Sequence, residues 1–586
     1  MTKRILSVLF MMFLAFSAMA QEGHLRGKVI DNKTGETLIG VTVAVVGTTM
    51  GTTTDFDGNY SLKLPAGNYN IRISYISYQP QEYENVEIND GDVTVINANL
   101  DEVVTELQEV VVTAKAVRNT EAAIQVMQKN SATMLDGISA RQISRLGDSD
   151  AASALKRVTG VSVQDDKYVF VRGLGDRYTV ITLNGGSIPA LDPEKNTVQM
   201  DIFPSNIIEN IIVHKTFTPD LPGESTGGHV DIVTKDFPEK FTMMFSADLG
   251  YNPQANYIDN FLSYDGGDTD WLGTDDGSRD VPAIANEYLE RYGYINITDP
   301  NPPYTYSTLE KISKEFNPQM SPTTKKSYLN QSYKFAVGKQ VEFLKKVLGY
   351  NISLGYTHNY KYYDDGHYGI YEEGEQPDKW RIFDDVTYGA TNANLSGLLN
   401  LNLKLNNNNK IGARYLRNQS GKKIAISRSG YFYYEDIADE DRNLAFLERT
   451  FDNYQLHGKH VFPGLNKLVV NWLGSYTYMK QNEPDLRFFE FLLPDPNTMR
   501  IKTNDLPGRF YRLMDEKDYF GKIDFELPLK ISSQNAKAKF GGAYSSKTRS
   551  LDETKFDLTT TFKDRFQTTD IEVFLREYMI SDGNHK

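Results

Sequence analysis

Cysteine is absent from this chain of 586 residues, which excludes disulfides and a lipoprotein anchor alike. Beyond the first twenty residues no stretch approaches the ~18 consecutive apolar residues that a helical span requires. Positive charge is in deficit: 63 Lys and Arg against 77 Asp and Glu leave a formal net charge of −14. Nucleic acid is therefore not expected as a partner, because phosphate binding needs a basic face. The 8 histidines are scattered without ligand spacing, and no His-Glu-x-x-His occurs. Neither a metal nor a cofactor is expected, and zinc peptidase chemistry is set aside. One more absence is local. The stretch VFVRGLGDRYTVITLNGG, residues 169 to 186, opens like a dinucleotide loop, but Tyr178 stands where the third glycine should. A β-branched run from Thr179 to Leu183 follows instead of a helix, so no phosphate cradle is written here.

What the chain does have is Tyr (36) and Phe (30). Modest overall hydrophobicity with many aromatics suits a soluble β-rich protein, and equally a barrel in which every second residue faces lipid. The N-terminus reads as a signal peptide over residues 1–20: Lys3 and Arg4, an apolar core from Ile5 to Phe16, then Ala18-Met19-Ala20 before a cut at Gln21.

From residue 24 to about 100 the sequence alternates on a two-residue period, as in Val41-Val43-Val45, Tyr60-Leu62-Leu64 and Tyr69-Ile71-Ile73-Tyr75, with turn signals between the runs. This predicts a small antiparallel β-sandwich over residues 21–101. Asp55, Asp57 and Asn59 invite a calcium loop, but the glycine falls at the fourth position and Ala66 stands where a bidentate Glu is required. A hairpin turn is expected there. The stretch from Gly27 to Tyr78 resembles the carboxypeptidase-regulatory-like domain, which despite its name is not catalytic.

Residues 102–119 read as a linker. Within it Val110, Val111, Val112 and Thr113 form a β-prone run flanked by charge. Such a run either closes the preceding sandwich or offers a free edge for strand addition to a partner. Residues 120–237 mix helix and strand. Helices are expected from Glu121 to Lys129 and from about Asp150 to Val158, the latter capped by Asp148 or Ser149 and stopped at Gly160. Strands are expected at Val161–Val163, Tyr168–Arg172 and Thr179–Leu183, and a further buried element carries Ile207, Ile208, Ile211 and Val213. LKRVTGVSVQDDKYVFVRGLGDRYTVITLNGGSIP, IIENIIVHK and STGGHVDIVTK together resemble the plug domain of TonB-dependent outer-membrane transporters. The resemblance assigns structural motifs to Arg172-Gly173, to the Asn184-Gly185 turn and to the ending from Gly227 and Gly228 through Thr234 and Lys235. Asp231 replaces the usual Asn of that ending, and His229 replaces an apolar residue. On this reading the glycines let backbone turn tightly inside a packed plug. The resemblance also implies that Glu109, Val110, Val111, Val112, Thr113 and Ala114 are a TonB box.

From 238 to 586 two-residue runs lengthen, as in Leu348-Tyr350-Ile352-Leu354-Tyr356, Leu399-Leu401-Leu403-Leu405 and Leu468-Val470-Trp472-Gly474-Tyr476-Tyr478. Gaps near 340–347, 406–409, 462–466 and 529–534 are short. Those near 253–330, 364–393, 419–449 and 481–515 are long, Tyr-rich and often acidic. Strict alternation of short and long connections is what a transmembrane barrel requires. About nine or ten strands are expected. The plug family sits in a barrel of twenty-two, so the expectation is part of an outer-membrane barrel whose open sheet leaves two edges.

The fold class expected is mainly β: a sandwich, an α+β plug and the N-terminal part of a transmembrane antiparallel barrel. The resemblance implies a non-enzymatic receptor in the outer membrane, with its N-terminal domain in the periplasm. It would import a small ligand (an iron chelate, a corrinoid or a glycan) through TonB with ExbB–ExbD, and it leaves a surface lipoprotein partner open. The rival expectation is a secreted, β-rich adhesion or glycan-binding protein.

Overall fold

The computed structural model describes residues 23–76, 78–101, 120–131, 133–175, 177–190, 192, 195, 197–238, 241–296, 301, 303–373, 378–501, 507–531, 534–557, 566, 568–571 and 575. The signal peptide expected at 1–20 and the linker expected at 102–119, with Glu109 to Ala114, lie outside them.

The N-terminal part is a sandwich of two sheets. Its strands are β1 (Gly23–Asp31), β2 (Thr42–Val45), β3 (Gly51–Thr53), β4 (Asn59–Leu64), β5 (Gly67–Ser74), β6 (Gln81–Ile88), β7 (Val93–Val95) and β8 (Ala98–Leu100). One sheet runs β4-β1-β7 with β8 also on β1, and the other runs β3-β2-β5-β6. Alternate residues Val43 and Val45, Leu62 and Leu64, and Ile71 and Ile73 meet between the sheets in one core with Leu25 and Val29. Asp55 answers the calcium question. Its Oδ1 accepts the amide N–H groups of Asp57 (3.0 Å) and Asn59 (2.8 Å), so the carboxylate tightens a hairpin turn.

The second part opens with helix α1 (Glu121–Asn130), where the Thr120 hydroxyl caps the Ala123 amide. Strand β9 (Leu135–Ser139), helix α2 (Ala140–Leu146) and helix α3 (Ala151–Leu155) follow. α3 is shorter than expected and is capped by Asp150, whose Oδ1 accepts the Ser153 amide at 2.8 Å. Asp148 instead pairs with Arg157 at 2.8 Å. A hairpin of β10 (Val161–Gln164) and β11 (Tyr168–Val171) packs beside a five-stranded sheet. That sheet has the order β13-β12-β15-β14-β9, with β12 (Thr179–Leu183), β13 (Gly186–Ser187), β14 (Ile208–His214) and β15 (Gly228–Thr234).

The third part is a wall, a ten-stranded antiparallel sheet. It runs β16 (Thr242–Gly250), β19 (Asn330–Phe343), β20 (Lys346–Glu372), β21 (Asp378–Asn406), β22 (Asn409–Phe432), β23 (Ile437–Phe462), β24 (Leu468–Asp495), β26 (Gly508–Ile531) and β27 (Gln534–Asp557). Short β25 (Thr498–Ile501) adds to β24, while β17 (Phe261–Ser263) and β18 (Thr323–Lys325) pair separately. Among the described strands, β16 and β27 are the sheet's edges.

Three of the four expected long connections are not loops. Most of 364–393, 419–449 and 481–515 is strand, continuing β20 to β26 well past the turns. Only the connection from 251 to 329 is long, and it contains helices α4 (Ala283–Tyr292) and α5 (Tyr306–Glu315).

The wall's two faces differ. Along β23, Phe451, Asn453 and Gln455 are buried, while Tyr454 and Leu456 are exposed. Wall residues Leu398, Leu416, Phe451, Met479 and Met514 share one apolar core with Ile181, Leu183, Ile211, Phe203 and Val230 of the second part. The second part is therefore lodged against one face of the wall, and the opposite face turns its apolar side chains outward. On that outward face Tyr415, Tyr454, Tyr476 and Tyr519 form a ladder across four strands, with ring centroids 4.7, 6.1 and 4.9 Å apart. Such a row is what the aromatic girdle of a membrane barrel looks like. The segment from 251 to 329 packs on this same outward side, beyond the girdle: Ala255, Phe261, Leu262 and Tyr264 cluster with Tyr362, Ala425 and Leu444.

Candidate functional site

The chemistry-bearing geometry is the seam between the plug-like part and the wall. Two tight turns shape the plug side. Arg172 (φ 55°) and Gly173 (φ 76°) form a two-residue turn closed by reciprocal amide-to-carbonyl bonds between Val171 and Leu174, at 3.1 and 3.0 Å. Asn184 (φ 54°) and Gly185 (φ 78°) form another between β12 and β13. Positive φ at both central residues marks the primed hairpin turn that Asn-Gly favours. Gly227 and Gly228 serve packing instead. A Cβ at Gly228 would stand 2.7 Å from Val171 Cγ1, and one at Gly227 would stand 2.9 Å from both Leu174 and Tyr178 Cβ. Gly228→Ala is thus expected to cost about 1–3 kcal/mol by overpacking. In urea unfolding Val171→Gly should relieve the strain, whereas Val171→Ala keeps a Cβ 2.8 Å away, and losses of Gly228→Ala and Val171→Gly that simply add would refute the packing role.

The motif's departures have local reasons. Asp231 Oδ1 accepts the Gly185 amide at 2.8 Å and the Thr182 hydroxyl at 2.6 Å, so a carboxylate holds the Asn-Gly turn. His229 lies with Nε2 3.0 Å from the same hydroxyl. Burial holds His229 well below its ordinary value, so it sits there as a neutral ring in an otherwise apolar position. Burial likewise pushes Lys235 down to about 8.

Several contacts tie this assembly to the wall. Asn184 Oδ1 accepts the amide (2.9 Å) and hydroxyl (3.1 Å) of Thr234, while its Nδ2 donates to Gln455 Oε1 at 3.1 Å. Gln455 Nε2 donates to the Leu183 carbonyl at 2.9 Å. Further along β23, Arg449 grips Asp201 with both nitrogens, Nη2 to Oδ2 at 2.6 Å and Nη1 to Oδ1 at 3.0 Å, and Nη1 also reaches Gln199. At the short-turn end, Asn400 Nδ2 donates to the Lys235 carbonyl (3.1 Å), and Asn402 and Asn351 donate to Asp236 (3.0 and 2.9 Å). The structure thus brings Asn184, Thr234 and Lys235 to the seam, while Arg172 and Gly173 stay in their turn within the plug.

Sequence reasoning missed the wall's own share. Above Arg449, on the same face of β23, Asp439 and Asp441 are buried. Asp439 pairs with Arg381, Asp441 with Arg428 at 2.9 Å, and Arg381 also with Glu490 at 2.6 Å. The alternate spacing of Asp439 and Asp441 was the available signal.

Among the described residues no group of His, Cys, Asp or Glu could hold a metal ion. The seam combines hydrogen bonds and ion pairs with the shared apolar core. A plug-like domain packed on one face of an antiparallel wall, with tyrosine rings ranked on the other, is an arrangement of the plug-and-barrel kind. Residues 25–112 match the CarboxypepD_reg-like domain, and residues 127–229 match the TonB-dependent Receptor Plug Domain. The chain thus carries the plug domain of TonB-dependent receptors behind a CarboxypepD_reg-like domain.

Two curated relatives are similar in sequence. TonB-dependent receptor P3 of Formosa agariphila is 39% identical over 112 residues, which is 19% of this chain and 11% of the relative. TonB-dependent receptor SusC of Bacteroides thetaiotaomicron is 45% identical over 82 residues, 14% of this chain and 8% of the relative. The matched stretches span about a tenth of the length of these relatives. Among solved structures, the open form of the ferric-catecholate import receptor Fiu from E. coli K12 aligns with a TM-score of 0.32 at 10% identity, covering 73% of this chain and 68% of that one.

Proposed function

We propose that this chain is the receptor of an energy-coupled importer that takes a small ligand, an iron chelate, a corrinoid or a glycan, across the outer membrane. The observation that carries the reading is the seam: a plug held in the wall by a shared apolar core together with side-chain hydrogen bonds and ion pairs, Arg449 to Asp201 the bidentate one. Contacts of that kind each contribute modestly, about 0.5–1.5 kcal/mol for a neutral hydrogen bond. A plug so held is seated firmly yet releasable in steps. Ligand would meet the receptor at the long-strand end, and it can act only by favouring one plug state over another. In that state Glu109 to Ala114 is freed on the periplasmic side, where the N-terminal sandwich also lies. The freed run pairs with TonB by strand addition, and ExbB–ExbD supplies the proton-driven pull. The chemistry needs no catalytic residue. Deleting residues 109–114 should abolish uptake while leaving ligand binding at the cell surface intact. Uptake that survives the deletion would refute the assignment. Recovery of the intact chain in the soluble fraction would favour the secreted binder instead.

A further inference from the structure

The sandwich does not hang free of the wall. Its turn between β3 and β4 enters the short-turn mouth, beside the end of the plug. Asp55 is buried there, with Oδ2 2.8 Å from Lys404 Nζ at the foot of β21. Asp57 Oδ1 lies 3.0 Å from Lys459 Nζ at the foot of β23, and the same ammonium sits 4.5 Å over the Phe56 ring. Lys410 joins the three parts, at 3.9 Å from Asp57 and 3.8 Å from Asp236 just past the plug. Thr53 Oγ1 accepts from Asn407 Nδ2 at 3.2 Å. At the rim Lys63 faces Glu342 and Lys537 faces Glu36, at 2.5 and 3.0 Å. Phe56, Tyr60, Phe237 and Val347 line a small cavity enclosed between sandwich, plug end and wall. Burial pushes the Asp55 carboxyl up against the opposing pull of Lys404, so this contact is dry enough to cost something to make and to break.

We propose that the sandwich domain is a removable cap on the mouth of the wall, latched by Asp55 and Asp57 on the lysines Lys404, Lys410 and Lys459, and covering the plug's end until tension on residues 102–119 lifts it away. Charge complementarity argues for this occupant: the inserted turn presents two carboxylates, and the strand feet that receive it present three ammonium groups. The connection to the plug argues for it too, since a pull on residues 102–119 loads the latch as well as the plug. The import reading above supplies only the source of that pull; the cap itself is testable without transport.

The chain's lack of cysteine allows a clean test in membranes of cells expressing the full chain. Thr53→Cys with Asn407→Cys should be joined by a short bifunctional thiosulfonate, seen as a gel shift that dithiothreitol reverses. Separately, Val347→Cys should react slowly with a bulky maleimide. Adding Lys404→Glu and Lys459→Glu should speed that labelling about tenfold or more, because each sets a carboxylate against a like charge, buried at Asp55 and half-buried at Asp57, and should abolish the cross-link. No cross-link while each single cysteine reacts with a monofunctional reagent would overturn the cap. So would Val347→Cys labelling at equal rates with and without the lysines. Failure of the import reading would appear only in the deletion of 109–114 and would leave both readouts unchanged.

Discussion

Arg449→Leu is expected to unseat the plug at a cost of about 3–5 kcal/mol, the loss that follows when one partner of a buried ion pair is removed. Arg449 is buried on β23 and spans Asp201 with two nitrogens. Leucine would leave the partly buried Asp201 carboxylate without its two-point partner, with only Lys167 and Lys422 farther off to answer its charge. The neighbouring apolar contacts, Phe451 on Phe203 with centroids 5.5 Å apart, cannot compensate a charge. Lysine should recover only part of the loss, because it cannot reproduce the planar two-point grip. The double variant Arg449→Leu with Asp201→Leu should regain most of it, since a well-packed apolar pair often replaces a buried ion pair at little cost. Limited proteolysis of the plug in detergent, with urea midpoints for the four proteins, measures the cycle. A double variant as unstable as Arg449→Leu alone would show that Arg449 acts through something other than Asp201.

How far the sequence discloses this architecture depends on where water is. In the sandwich and the lower wall one face of each strand is dry or lipid-facing, so Val41-Val43-Val45 and Leu399-Leu401-Leu403 announce their period. Above the tyrosine ladder the faces of β20 to β24 are covered piecemeal, by water, by polar partners and by apolar patches from distant segments, so neither face stays uniformly dry. There YYDDGHYGIYEE, from Tyr362 to Glu373, shows no alternation although it lies mostly in strand β20. Cross-strand hydrogen bonds and pairs such as Arg428–Asp441 hold these extensions together, and neither leaves a hydrophobic signature. The Asn184-Gly185 turn was legible because Asn-Gly favours positive φ at both positions, whereas the positive φ of Arg172 has no sign in its residue type. Strand β9 was not, since LDGIS mixes an acid and a glycine into five residues. The Arg449–Asp201 pair joins residues far apart in sequence, and nothing local to either side marks the partner. Asp55 was read correctly as a turn residue, while its second role against Lys404 depends on a strand some 350 positions away and so had no local sign.

The membrane reading of the wall predicts a gradient along a single strand. Outward residues of β24 from Tyr476 down through Gly474, Trp472 and Val470 to Leu468 carry no charge. They span roughly 26 Å at about 3.3 Å per residue, close to the ~25 Å apolar band of outer-membrane barrels. Beside them on β23 lie Tyr454, Leu456, Gly458, His460 and Phe462, with Leu456 60% exposed and set opposite Gly474 and Ala413. In a bilayer Leu456→Arg should cost about 2–4 kcal/mol, whereas Phe462→Arg, near the interface, should cost only about 0–1 kcal/mol. A soluble protein would show no such dependence, because an exposed leucine on a water-facing strand tolerates arginine within about 0.5 kcal/mol. Urea unfolding of both variants in lipid vesicles therefore decides whether lipid or water lies against this face. Equal midpoints at the two positions would mean that the tyrosine ladder is a surface ornament of a soluble sheet. A graded loss, steep at Leu456 and slight at Phe462, would mean that the same strand holds the plug with its odd-numbered residues and the membrane with its even-numbered ones.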